Sequence, residues 1–233
     1  EMSLCMKTLI SLLSLLPFLS LATDIPPGNV SGVWSPSGNP YVIQGNIRIP
    51  EGQSLTIQPG VQVLFNGPYA LRAIGSLNAI GAPGDSISFS SLTNSPNWKG
   101  IKLDSLHSSS DTVRLRFCKL SLMGGGNIAI INTDKFILED SRMFNNSGHF
   151  AGCFYTFNSS FQARRNYFHN NSTASQSDGG VFYVRDAAPI IEYNTFRDNS
   201  ATYSGGAISC WRQNGPSTPI IRHNHFISNY AGS

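Results

Sequence analysis

Beyond Glu1 the chain carries twelve carboxylates, at Asp24, Glu51, Asp85, Asp104, Asp111, Asp134, Glu139, Asp140, Asp178, Asp186, Glu192 and Asp198. Calcium-assisted elimination needs several such oxygens converging on the ion beside an Arg or Lys base, and glycoside hydrolysis needs two of them about 5 to 9.5 Å apart. His223 and His225 flank Asn224. On a strand that spacing points both imidazoles to one side, the start of a metal site, yet no third ligand is evident and His169 is out of reach; solvent-facing corner histidines are the simpler reading. Arg164-Arg165 and Arg185-Asp186 read as solvated charges. The chain has no nucleophile elbow, phosphate loop or HExxH. We expect no catalytic residue, no metal site and no cofactor. The chemistry that remains is recognition. Tyr203, Trp211 and Arg212 sit among Asn and Gln, and aromatic faces beside polar groups suit sugar rings, which present C–H patches and hydroxyls together. The competing reading packs Trp211 as a lid over Cys210.

Composition limits the partners. Of 233 residues only 12% are charged and the net charge is +3, too small to imply a nucleic-acid ligand. Met6 and Lys7 precede the apolar run Leu9 to Leu21, and Ser20-Leu21-Ala22 places small residues at a signal-peptidase site. Residues 1–22 are therefore expected to be a signal peptide with an upstream extension, and the run is too short for a membrane span. Cleavage leaves Cys118, Cys153 and Cys210, an odd number without close spacing, which argues against a disulfide framework. The expected location is secreted or cell-surface.

The elements that must position these side chains show themselves as a repeat. "PIIEYNTFRDNS" (Pro189 to Ser200) returns as "PIIRHNHFISNY" (Pro219 to Tyr230), and "FQARRNYFHNNS" and "FILEDSRMFNNS" fill the same frame upstream. The anchors Leu120, Met143, Phe168, Phe196 and Phe226 are 23, 25, 28 and 30 residues apart. Quartets beginning at Gly152, Gly180 and Gly206 recur between them. Short apolar alternations broken by Gly, Pro and Asn, with no helical periodicity, predict an all-β, right-handed, single-stranded parallel β-helix with about three short strands per rung. We expect an N-terminal cap over 23–41 and one solenoid over 42–233, truncated at its C-terminus, with an edge around Ile220 to Ser228 open to self-association. Leu115, Leu138, Ala163, Ile191 and Ile221 should share an inward column. Asn166, Asn194 and Asn224 should form an amide ladder at a left-handed bend, weakened where Ser141 and Cys118 replace Asn. Arg116, Glu139, Arg164, Glu192 and Arg222 alternate in charge and should pair along an outward column.

These residues resemble secreted bacterial β-helix repeat proteins of the pectate-lyase-like superfamily. Ser204-Gly205-Gly206-Ala207-Ile208, with Phe196-x-x-Asn199 and Phe226-x-x-Asn229, is similar to the paired GGAI and FxxN motifs of chlamydial-type polymorphic outer-membrane proteins. That resemblance implies a surface adhesin. The expected function is a non-catalytic extracellular or cell-surface protein that binds a polysaccharide or cell-surface glycan, centred on Tyr203, Trp211 and Arg212. The alternative is a polysaccharide lyase, hydrolase or epimerase. Fold alone does not decide between them. Sequons at Asn29, Asn145, Asn158, Asn170 and Asn171 would matter only in a eukaryotic secretory pathway.

Overall fold

The computed structural model describes residues 22–104, 111–173 and 176–232, so the expected signal segment, apart from Ala22, lies outside the described residues. Strands of two to five residues follow one another around a coil, and each strand inside a sheet pairs in parallel with the strand one turn earlier and one turn later. Three long sheets result. Sheet I has nine strands, from Thr23–Ile25 to His225–Ile227; sheet II has eight, from Gly28–Asn29 to Ile208–Trp211; sheet III has eight, from Gly32–Trp34 to Ile220–Arg222. A fourth sheet of four two-residue strands, Ser147–Gly148 to Tyr230–Ala231, fills the corner between sheets I and II where the later rungs lengthen. This is the all-β parallel solenoid that the repeat predicts.

The stretch expected as an N-terminal cap carries a full rung of its own. Thr23–Ile25, Gly28–Asn29 and Gly32–Trp34 pair with Tyr41–Ile43, Ile47–Ile49 and Ser54–Ile57. Strands this short, set between Pro26-Pro27 and Gly32, show too little alternation to be recognised from sequence.

Alternation along each strand sends every second side chain inward. The inward column on sheet III runs Trp34, Ile57, Ala79, Leu115, Leu138, Ala163, Ile191 and Ile221, as expected for its last five members. The anchors form a second column, and in it Phe168 stacks on Phe196 at 5.0 Å and Phe196 on Phe226 at 4.9 Å. Phe154 and Phe182 stack at 4.6 Å in the interior, and Phe161 lies 6.3 Å and 5.6 Å from them.

Corners are built from two-residue units. At the bend from sheet III to sheet I, Phe117, Asp140, Arg165, Tyr193 and His223 all have φ between +49° and +59°. The residue that follows each is Cys118, Ser141, Asn166 or Asn194, all buried, or Asn224, half-buried on the last rung. The left-handed residue is thus the one before the asparagine, not the asparagine itself. Its side chain points to solvent, so its identity is loosely constrained, whereas the next side chain must satisfy buried amides. Asn194 does so: its Oδ1 accepts from Asn166 N–H at 2.9 Å and Nδ2 at 3.0 Å, and its own Nδ2 donates to Ala163 O at 2.9 Å and to Asn224 Oδ1 at 3.0 Å. Ser141 continues the ladder with a single bond, its Oγ accepting from Cys118 N–H at 3.0 Å. A second ladder, Asn146, Asn171, Asn199 and Asn229, repeats the arrangement at the next corner. Sequence reading missed it, although each member stands three residues after an anchor.

The double-glycine quartets mark where rungs approach most closely. Gly179 has φ +72°, and a Cβ on Gly180 would collide with the carbonyl oxygen of Gly206 one rung on.

Candidate functional site

Side chains that point out of sheet II share one face. Strands Ile128–Ile131, Phe154–Phe157, Phe182–Arg185 and Ile208–Trp211 pair residue for residue, so two outward columns stand side by side. One carries Tyr155 and Tyr183, stacked at 5.9 Å and 20°. The other carries Ile131, Phe157, Arg185 and Trp211, and the Arg185 guanidinium lies 5.1 Å from the centre of the Phe157 ring. Phe150, exposed on the preceding corner, packs on Tyr155 at 5.4 Å. The result is an aromatic surface with one cation set in it, half-buried at Tyr155, Phe157, Tyr183 and Arg185 and exposed at Phe150 and Trp211. Burial, with Asp178 adding to it, raises the Tyr183 phenol above its ordinary value.

Beyond the second column the chain turns through Asn132, Asn158 and Asp186, each left-handed. A groove of about 390 Å³ opens there, lined by Asn132, Asp134, Asn158, Ser159, Asp186 and Pro216 among others. Asn158 Nδ2 donates to Asn132 Oδ1 at 3.0 Å, and Asp186 Oδ1 accepts from Gln213 N–H at 2.7 Å. That last bond holds the Asp186 carboxyl below the usual carboxylate range. It also ties the insertion after Trp211 against the groove.

Of the three residues singled out from sequence, Trp211 and Arg212 lie on this edge. Trp211 is 53% exposed and in register with Arg185, so it forms part of the face and is not a lid on Cys210. Arg212 is exposed on the corner that follows. Tyr203 is exposed at the corner before the same strand, its N–H bonded to Ser177 O at 3.2 Å. It and Trp211 stand at opposite ends of Ile208–Trp211, and no ring contact joins them. Tyr155, Phe157 and Tyr183 were missed as site residues. The signal was present: Gly152-Cys153-Phe154-Tyr155 and Gly180-Val181-Phe182-Tyr183 put a tyrosine at the same outward place, with Phe157 and Arg185 two residues further on.

The charged residues of sheet III are engaged with one another. The column Arg116, Glu139, Arg164, Glu192 and Arg222 is in register as expected. Glu192, buried, is held by Arg164 Nε at 2.6 Å and Arg222 Nε at 2.7 Å, and these bonds, Arg222's foremost, lower its carboxyl below the usual range. Further up, the pairing departs from expectation: Arg116 bonds Asp140 at 2.8 Å instead of Glu139, and Arg165 bonds both Asp140 at 2.7 Å and Glu139 at 3.4 Å. Asp140 sits on the adjacent left-handed corner, from which its short side chain reaches arginines on either side. His223 occupies that same corner column, stacked on Tyr193 at 4.9 Å, while His225 lies in the strand beyond, so the two are not a strand pair. Among the described residues no three His, Cys, Asp or Glu side chains are placed to hold a metal ion.

Residues 109–233 match the family model described as "Right handed beta helix region". Over 63 residues, 27% of this chain, the sequence is 36% identical to "Protein bark beetle" of Drosophila melanogaster, and the match spans about 2% of that protein. No solved structure matches. With more than half of its length covered by that model and every long sheet coiling in parallel, the chain belongs to the right-handed β-helix family.

Proposed function

We propose that this chain is a non-catalytic extracellular or cell-surface β-helix, akin to the pectate-lyase-like proteins it resembles, that binds a glycan on the outer face of sheet II. The observation that carries the reading is the row of half-buried Tyr155, Tyr183 and Phe157 with exposed Trp211, beside the amide-lined groove at Asn132 and Asn158. Sugar rings lie flat on aromatic faces and offer hydroxyls at their rims to amide and carboxylate groups. The signal peptide expected over residues 1–22 is consistent with exposure to such ligands. On sheet III the carboxylates Asp140 and Glu192 are bound to arginines, which leaves neither free to act as a general acid or base. A glycan array followed by titration calorimetry tests the reading. Wild type should bind, and Trp211→Ala and Tyr183→Ala should each weaken binding about tenfold, the loss of one stacking contact of roughly 1.4 kcal/mol. Absence of binding by wild type, or unchanged affinity in both variants, would overturn it.

A further inference from the structure

The groove beside the aromatic surface changes character along the solenoid axis. Three successive rungs supply equivalent residues to it, Thr133, Ser159 and Ala187 on its buried floor and Asp134, Ser160 and Ala188 at its rim. Backbone bonds tie these rungs together: Ser160 N–H donates to Thr133 O at 3.2 Å, and Ala188 N–H to Ser159 O at 3.1 Å. Both series lose their polar groups toward the last of the three rungs, so the groove ends apolar at Ala187 and Ala188, where Pro216 of the insertion after Trp211 also lines it. Trp211 adjoins this end, because its carbonyl accepts the Asp186 N–H at 3.0 Å. Polar groups without partners stand beside the apolar end. Asn158 Nδ2 is spent on Asn132 Oδ1 at 3.0 Å, one rung back, and since a carboxamide is planar its Oδ1 faces away from that bond. Among the described residues no hydrogen bond engages Asn158 Oδ1 or the Ser160 hydroxyl. Nor, among them, does any Lys or Arg line the groove, whereas the exposed Asp134 does.

We propose that the groove is the subsite for an N-acetylhexosamine: the acetamido N–H donates to Asn158 Oδ1, its carbonyl accepts from Ser160 Oγ, its methyl lies against Ala187, Ala188 and Pro216, and the sugar ring rests on Trp211. The proposal rests on the glycan reading above and adds the substituent that the site selects. An acetamido group carries a donor, an acceptor and a methyl in one plane, and the groove offers an acceptor, a donor and an apolar end in matching order. At about 390 Å³ it has room for a single sugar residue. A hydroxyl in place of the acetamido group would leave the apolar end unfilled and one polar partner unpaired, and each of those losses weakens binding. An acidic sugar would meet Asp134 with no cation to offset it.

The test uses the full chain and three tetrasaccharides of one linkage, built from N-acetylglucosamine, glucosamine or glucose, in titration calorimetry. Wild type should bind the N-acetylated probe about tenfold or more tightly than either of the others. Ala188→Glu, whose fold is checked by circular dichroism, puts a carboxylate where the methyl would lie and should lose that preference while keeping its affinity for the glucose probe. Trp211→Ala should weaken all three alike. Equal binding of the three probes, tighter binding of the glucosamine probe, or an undiminished preference in Ala188→Glu would overturn the proposal and leave the glycan reading standing. Failure of all three to bind wild type would overturn the proposal as well, and a glycan array that is also silent would take the glycan reading with it.

Discussion

Lys102 shows how much one outward position can depend on its rung neighbours. Burial, reinforced by Lys99, lowers its amine to about 8 from the ordinary 10.5. Below pH 8 the folded and unfolded chains both carry the proton, and the folded state bears the full cost of a charge it solvates poorly. Between pH 8 and 10.5 the unfolded chain keeps the proton that the folded chain has released, so Lys102's own contribution to stability rises with pH, by on the order of 3 kcal/mol at roughly 1.4 kcal/mol per unit, while the buried Cys118 and Cys153 thiols, pushed up by burial, act in the opposite direction. Denaturant unfolding of wild type and Lys102→Met across this window should show wild type gaining on the variant by that amount; parallel curves would refute it. Sequence gave no hint of this, because Lys102 meets Lys99 and Asn127 only once the rung is closed. The corner residues were half legible for a related reason. Asn166, Asn194 and Asn224 announced a buried amide ladder, but Asp140, Arg165, Tyr193 and His223 share no chemistry that would mark them as the left-handed partners. A solvent-facing bend imposes a backbone angle on its residue and asks nothing of the side chain.

At the level of the element, the ladders are what makes a rung fit its neighbour. Replacing Asn194 by Ala would strand the N–H and Nδ2 of Asn166 and the carbonyl of Ala163 in the interior. With about 1 to 3 kcal/mol for each buried group left unpaired, the loss should reach roughly 3 kcal/mol or more. Asn194→Ser should cost about half of that, since a hydroxyl at the equivalent position, Ser141, still accepts one backbone N–H. Guanidinium unfolding would decide; equal effects of Ala and Ser would mean that the ladder's hydrogen bonds are not the source of the stability. Register was readable because Pro-Ile-Ile-x-x-Asn-x-Phe-x-x-Asn fixes strand and corner together. Partner choice within a column was not. Arg116 abandons Glu139 for Asp140 because a left-handed corner swings a short carboxylate between two arginines, a geometry that strand alternation alone does not contain.

For the molecule as a whole, sequence identified the solenoid and, in Trp211, one end of the aromatic face of sheet II but not the face itself. The insertions between strands vary in length, so only the assembled sheet shows that Arg48, Lys102, Tyr155 and Tyr183 form a single line. The same stacking leaves an unpaired surface on the rung from Ile208 to Ala231. Phe226 is 52% exposed and Ile221 39% exposed, although their column mates Phe196 and Ile191 are fully buried. A polypeptide ending at Ser233 presents the open edges of sheets I and III and should associate as its concentration rises. Multi-angle light scattering should show a mass that grows with loading for wild type and falls back toward 25.3 kDa for Phe226→Lys. A monomer at every concentration would refute it. The asparagine ladders also have a direction. Each Oδ1 accepts from the rung before it, so a rung's corner amides stay unsatisfied until the next rung is laid down. During synthesis the chain emerges in that same order. Every newly made turn completes its predecessor and leaves itself incomplete, which makes the coil a one-way ratchet whose growing tip is always the part most ready to bond.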